Sequence, residues 1–148
     1  MAFSLVSWVV LFGLVPLAIG RRGRRVGWRE GRPRLVHHAG LAAVGLGSVG
    51  LAWCAVEHYP RGGSVALSLV PEKLIGSGPY RFSRNPMYVS ELTVLLGWTL
   101  YFGSPSLLGC SAAQGTAMRY AVGREERTLR AQFGDRWLGY AARVPRWV

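Results

Sequence analysis

The sequence predicts an all-α, multi-pass membrane protein of about four spans that ends in an amphipathic interfacial helix. Three observations predict it. Half of the 148 residues are hydrophobic and the mean hydropathy is +0.20, which is high for a soluble domain of this length. The eighteen basic residues, all Arg except Lys73, fall in three blocks at residues 21–34, 57–86 and 119–148. Long apolar stretches lie between them, and basic blocks flanking apolar spans are a membrane pattern. The length suits one domain, with two N-terminal spans in residues 1–56 and a helical hairpin and C-terminal helix in residues 57–148.

The net charge of +11 first suggests nucleic acid, but no nucleic-acid module is recognisable. Cys54 and Cys110 both sit in apolar stretches and read as packing residues rather than a disulfide framework. His37, His38 and His58 have no Cys or carboxylate partners at metal-ligand spacing, so no metal is expected. The N-terminus lacks a basic region ahead of its apolar run and reads as a retained helix rather than a signal peptide.

Phe3 to Gly20 carries no charge and is near the minimum length for a span, with Pro16 expected to kink its last turn. The RRGRRVGWREGRPR segment at 21–34 reads as a solvated loop facing lipid headgroups. Leu35 to Val56 is the second span. Ala39, Ala43 and Gly47 recur every four residues there and predict a flat face for close helix approach. The same span holds a literal GxGxxG at Gly45, Gly47 and Gly50. It lies mid-way through an apolar run, not between a strand and a helix, so a nucleotide loop is rejected.

Residues 57–86 are a polar connector. Met87 to Gly103 is a third span opened by Pro86, a favourable residue at a helix start. Ser104-Pro105-Ser106 is a tight turn, and residues 106–120 form a weak fourth span. Gly109, Ala113 and Ala117 recur every four residues, which predicts a close hairpin with the third span. Residues 122–142 read as an amphipathic helix or helix pair, with Leu129, Phe133, Trp137 and Tyr140 along one stripe. The closing Val144-Pro145-Arg146-Trp147 suits a membrane interface.

Two clusters are more specific than membrane spanning requires. One is Leu74-Ile75-Gly76-Ser77-Gly78-Pro79-Tyr80-Arg81-Phe82-Ser83-Arg84-Asn85-Pro86-Met87-Tyr88. The other is Glu125-Glu126, Leu129, Phe133-Gly134, then Trp137, Tyr140 and Val144-Pro145-Arg146. Singly, each has a plain structural reading as a turn, a helix cap or a solvated helical turn favoured by the helix dipole. Together, with the Ser-Pro hairpin between them, they resemble the isoprenylcysteine carboxyl methyltransferase-like family. The phospholipid N-methyltransferases are similar in plan. The resemblance covers residues 72–148 and continues more loosely through the second span and the Arg-rich loop.

The resemblance implies a helical site for S-adenosylmethionine at the cytosolic membrane face, without metal. By position, the cofactor-binding residues correspond to Leu74, Ile75, Tyr80, Asn85, Pro86, Met87, Tyr88, Glu125 and Glu126. Tyr80 and Tyr88 offer π faces to a sulfonium, worth about 0.5–2 kcal/mol each when desolvated. Glu125 can accept hydrogen bonds from ribose hydroxyls or the donor's ammonium, and Arg81 or Arg84 can pair with its carboxylate. Methyl transfer needs mainly alignment, so positioning dominates. Two departures stand out. Asn85 occupies a place where many members carry His. Ala121 falls near the substrate-contacting Arg of the prenylcysteine enzymes, so a prenylcysteine carboxylate is not supported as acceptor.

Glu91 lies one turn into the third span, where a carboxylate is expensive and suggests function. With Asn85 it is a candidate catalytic residue, taking a proton from the acceptor or orienting it. A structural pair with Arg119, or snorkelling to the interface, are its alternatives. The acceptor stays open among amines, thiols, carboxylates and isoprenoid head groups. The expected partners are membrane lipids and that acceptor; oligomeric state is not legible. A multi-pass location in a bacterial cytoplasmic membrane is expected. Cytosolic motifs place the loop at 21–34 outside, where its seven Arg argue against the positive-inside rule, although the other side holds eleven basic residues. Two other functions compete: a non-catalytic membrane scaffold that keeps the fold, and a small transport or channel subunit.

Overall fold

The computed structural model describes residues 9–58 and 74–147. The chain segment 3–8 of the expected first span and residues 59–73 of the connector lie outside the described residues. Among the described residues all extended regular structure is helical, and the β feature present is an isolated bridge between Arg29 and Arg32. A π-helical turn at Val9–Leu14 leads into α1 (Val15–Arg22). Then follow α2 (Leu35–His58), a 3-10 turn (Gly78–Arg81), α3 (Pro86–Phe102), α4 (Pro105–Phe133) and α5 (Asp135–Ala141).

Pro16 does not kink a last turn. It stands in the first turn of α1, where π winding gives way to α winding. A residue without an N–H cannot make the i→i−4 bond, so the change of winding falls where that bond is missing. The helix then runs two residues into the Arg block, to Arg22.

α2 is apolar all round, and its Leu35–Glu57 stretch is long and apolar enough to cross a membrane, with 17% of its most apolar part buried. Its outward side chains include Leu35, Leu46, Val49 and Val56. α2 packs antiparallel on α3 with backbone touching backbone. A Cβ on Gly47 would stand 2.7 Å from the Ser90 carbonyl, and one on Gly97 would stand 2.7 Å from the Gly40 carbonyl. The expected strip holds at Gly47 and fails at Ala39, which is exposed; Gly40, Gly47 and Gly50 form the contact line. The reason is steric, since even a methyl group cannot enter at these separations. The GxGxxG lies inside this helix.

Pro86 opens α3, and Gly103 ends it at φ +57, a left-handed backbone that closes the helix through bonds to Leu100 and Thr99. Ser104 then caps α4, its hydroxyl accepting from the Leu107 N–H at 3.3 Å. The tight hairpin is thus present. α4 and α3 meet through Thr99 and Ser111, whose hydroxyls are 3.1 Å apart, with Leu107, Met118 and Val122 buried. Gly109, Ala113 and Ala117 face outward, because Leu107, Ser111, Met118 and Val122 hold the opposite stripe against α3. α4 is also longer than expected. One helix of 29 residues joins the weak span to the Glu125 region, and the break comes at Gly134, φ +50. Across that break the aromatic stripe holds: Trp137, Tyr140 and Val144 form a small core with Leu74, Leu129, Phe133 and Ala141.

The loop at 23–34 is built onto the Leu35/Phe102 end of the α2–α3 pair. The Val26 N–H donates to the Gly103 carbonyl at 2.8 Å, and the Trp28 indole donates to the Tyr101 carbonyl at 3.0 Å. Buried His37 accepts from the Arg34 N–H at 2.9 Å, and its Nε2 lies 3.3 Å from the Val26 carbonyl. The Arg25 guanidinium sits 4.5 Å from the Trp28 ring centre.

Candidate functional site

The opposite end of the helix pair gathers both motifs. The Gly-Pro-Tyr-Arg turn starts at Gly78, whose φ of +56 favours glycine, and Pro79 behind it is buried. The Tyr80 carbonyl accepts from the Tyr140 hydroxyl at 2.8 Å. Burial pushes the Tyr80 phenol well above its ordinary range, and Cys54, Tyr140, Glu125 and Tyr88 lie close enough to add to the effect. Tyr80 therefore occupies the middle of a group drawn from α2, α3, α4 and α5.

Within this group the Tyr88 hydroxyl donates to Glu125 Oε1 at 2.6 Å. Burial raises the Glu125 carboxyl above the usual carboxylate range, and the Tyr88 hydrogen bond pulls it partly back. Glu91 lies one helical turn beyond Tyr88, 7% exposed, near enough to Glu125 and to Cys54 to interact electrostatically. It makes no hydrogen bond or ion pair with a described residue. Arg119 is exposed and forms no pair with it, so the structural partner considered for Glu91 is not there.

The two neighbouring glutamates have separate surroundings. Glu126 accepts from Arg84 Nη1 at 2.9 Å and from Arg146 Nε at 3.2 Å, and Arg146 Nη2 bonds its other oxygen. These hydrogen bonds hold the Arg146 guanidinium above its ordinary range. The same tail is tied by backbone. The Arg84 N–H donates to the Pro145 carbonyl at 2.9 Å, and Asn85 Nδ2 donates to the Arg146 carbonyl at 3.0 Å. Ser83 Oγ donates to that same carbonyl at 3.3 Å and accepts from the Asn85 N–H at 3.1 Å. Arg84 also lies over the Trp137 ring at 6.0 Å.

The structure thus brings Tyr80, Tyr88, Glu91 and Glu125 together. It places Leu74 in the Trp137–Tyr140–Val144 core, Ile75 and Met87 half-buried and Pro86 buried at the α3 start. Asn85 and Glu126 turn toward the C-terminal tail, and Arg81 is exposed. Cys54 is a buried packing residue as expected; sequence reasoning missed Glu57 of α2, Ser83, and Arg146 as a tie rather than an interface residue. Glu57 had one signal, as an acid at the end of a long apolar run. Among the described residues no three His, Cys, Asp or Glu side chains converge to hold a metal ion.

Residues 36–136 match the phospholipid methyltransferase family. The chain belongs to that family. The matched stretch takes in α2 from its second residue, α3, α4 and the start of α5, with Tyr80, Tyr88, Glu91 and Glu125 inside it and Tyr140 beyond it. It begins just after the Arg-rich loop and ends before the tail. The family membership agrees with the resemblance read from the two motifs, and makes this a chain of the membrane methyltransferase kind. An uncharacterized protein of Haemophilus influenzae is 38% identical over 63 residues, 42% of this chain and 100% of its own length. The cobalt-zinc-cadmium resistance protein CzcN of Cupriavidus metallidurans is 31% identical over 106 residues, 72% of this chain. The aligned part is 45% of that protein's length. No solved structure matches.

Proposed function

We propose that this chain is an S-adenosylmethionine-dependent methyltransferase, one domain held in the membrane by four spans, acting on a small or lipidic acceptor at the cytosolic face. The observation that carries the reading is the convergence of Tyr80, Tyr88, Glu91 and Glu125 inside the stretch that defines the family. Family membership supports methyl transfer and a lipid-related acceptor. Outward apolar side chains on every long helix and on the first turns support the four spans: Val9, Leu14, Leu46, Val49, Leu96, Leu100 and Leu108. The 23 residues Leu35–Glu57 of α2 extend about 35 Å at a rise of about 1.5 Å each, enough for a hydrocarbon layer of about 30 Å.

The residues fit such a donor. Two phenol rings stand beside a carboxylate, as a sulfonium and an amino or hydroxyl group would require. Arg84 Nε is buried without a hydrogen-bond partner while its Nη1 is held by Glu126. That leaves an oriented donor suited to a carboxylate. When bound, S-adenosylmethionine supplies an electrophilic methyl group on a sulfonium. The chain's own part is to align and to exclude water. Tyr80 and Tyr88 would offer their ring faces to the cation, and Glu125, oriented by the Tyr88 hydroxyl, would accept hydrogen bonds from the donor's hydroxyl or ammonium groups. Glu91 takes or holds the acceptor's proton, where no described partner competes for its oxygens. Asn85 and Glu126 act at one remove, fastening the tail that keeps Arg84 in place.

The test is titration of S-adenosylmethionine into the purified full chain in nanodiscs, beside Glu125→Ala. Saturable binding that weakens roughly 10- to 100-fold in the variant is expected, the range for losing a charge-assisted hydrogen bond. A folded, monodisperse wild type that binds nothing overturns the reading and favours the scaffold.

A further inference from the structure

The turn that carries Tyr80 is gripped from both sides by side chains outside the group around Glu125. From α2, Glu57 accepts a hydrogen bond from the Ser77 hydroxyl. Its carboxylate also lies against the next residue: a Cβ on Gly78 would stand 2.7 Å from Glu57 Oε2. From α5, the Tyr140 ring supports Gly76, where a Cβ would meet it at 3.6 Å, and its hydroxyl donates to the Tyr80 carbonyl. Residues 76–80 are thus held at successive points by one carboxylate and one phenol. Cys54, one turn before Glu57 on α2, is near enough to the Tyr80 phenol to interact with it electrostatically.

We propose that Glu57 is a positioning residue of the methyl-donor site, setting the Ser77-Gly78 backbone and through it the Tyr80 ring, with Tyr140 as its counterpart. The proposal rests on the reading of Tyr80 as a donor-binding residue. The argument is geometric. A 3-10 turn of four residues has few bonds of its own, so its ring is aimed only as well as its ends are fixed. Gly78 is the position that lets the carboxylate come this close, because a side chain there meets both the φ of +56 and Glu57 itself.

The experiment is S-adenosylmethionine titration of the full chain in nanodiscs, with thermal unfolding of each sample. Glu57→Ala is expected to weaken binding about tenfold, the loss of one charge-assisted hydrogen bond. Glu57→Gln is expected to restore most of it, since an amide oxygen still accepts from Ser77. In a Tyr80→Ala background Glu57→Ala is expected to add no further loss, because it acts through that ring. Wild-type affinity in Glu57→Ala overturns the proposal, as does a Gln variant as weak as Ala. If Glu57→Ala does not yield monodisperse protein, Ser77→Ala removes the same bond from the other partner, and unchanged affinity there overturns it equally. A wild type that binds no donor is a different failure: it sinks the donor-site reading, and this proposal with it.

Discussion

The two ends of the α2–α3 pair are finished in different ways. At the Leu35/Phe102 end, the Arg-rich loop is closed by neutral bonds, mostly to backbone. Val26 pairs with Gly103, Trp28 with Tyr101, and His37 with Arg34 and Val26. Seven Arg surround this end, and the built contacts among them are rings and carbonyls rather than acids. At the Glu57/Pro86 end, side-chain charges do the joining, through Glu57, Glu125, Glu126, Arg84 and Arg146. There Arg84 Nε is buried without a hydrogen-bond partner among the described residues, and the buried Glu91 lies near the Glu125 carboxyl. Satisfied polar groups stabilise a fold, whereas buried unanswered ones cost free energy. The difference fits the proposed function, in which the loop end serves stability and the other end receives the methyl donor.

The sharpest way to break this comparison is chemical. Glu91→Gln is expected to keep donor affinity within about twofold and to lower methyl transfer about 10²- to 10⁴-fold, the range for removing a general base. Turnover at the wild-type rate would return Glu91 to a structural role. Next in size is the shared middle. Gly97→Val forces a side chain against the Gly40 carbonyl and Val44, and overpacking of this kind costs about 1–3 kcal/mol. Both ends should suffer together, read as a lower thermal midpoint and weaker donor binding; loss at one end alone would mean that the ends are independent.

A smaller effect separates the two ends. Trp28→Phe removes the indole donor to Tyr101 and is expected to lower stability by about 1 kcal/mol in denaturant unfolding. Donor affinity should not change. A matching loss of affinity would show that the loop reaches the site. The smallest effect is on pH. Burial raises the Glu125 carboxyl in the folded protein. Its contribution to stability is therefore fully present below the ordinary glutamate range and lost as pH rises through the raised folded value. Glu125→Gln should flatten that slope in a pH series of thermal midpoints. Donor binding that uses the carboxylate runs the other way, weakening as pH falls through the same value.

Much of this was legible along the chain. Apolar runs between Arg blocks predicted the helices, Pro86 marked a helix start, Ser104-Pro105-Ser106 marked the turn before the next helix, and the stripe from Leu129 to Tyr140 predicted a core that survives the break at Gly134. These depend on neighbours a few residues apart, so composition and period determine them. The family's motifs could be read for the same reason. What they could not say was which face of a helix touches which. Ala39-Ala43-Gly47 and Gly40-Gly47 are equally plausible faces until Gly97 stands opposite one of them.

The site divided along the same line. Its residue types were visible in two short motifs, but adjacent Glu125 and Glu126 cannot be told apart by spacing. Only the packed chain sends one to Tyr88, 37 positions away, and the other to Arg84, 42 positions away. Asn85 likewise meets the Arg146 carbonyl across 61 positions, and Glu57 meets Ser77 across a connector. Local pattern decided what this chain is made of and where its helices lie. The partners of its charges were decided by tertiary packing, because a buried carboxylate is stabilised only by whatever donor the fold delivers to it, however distant along the sequence.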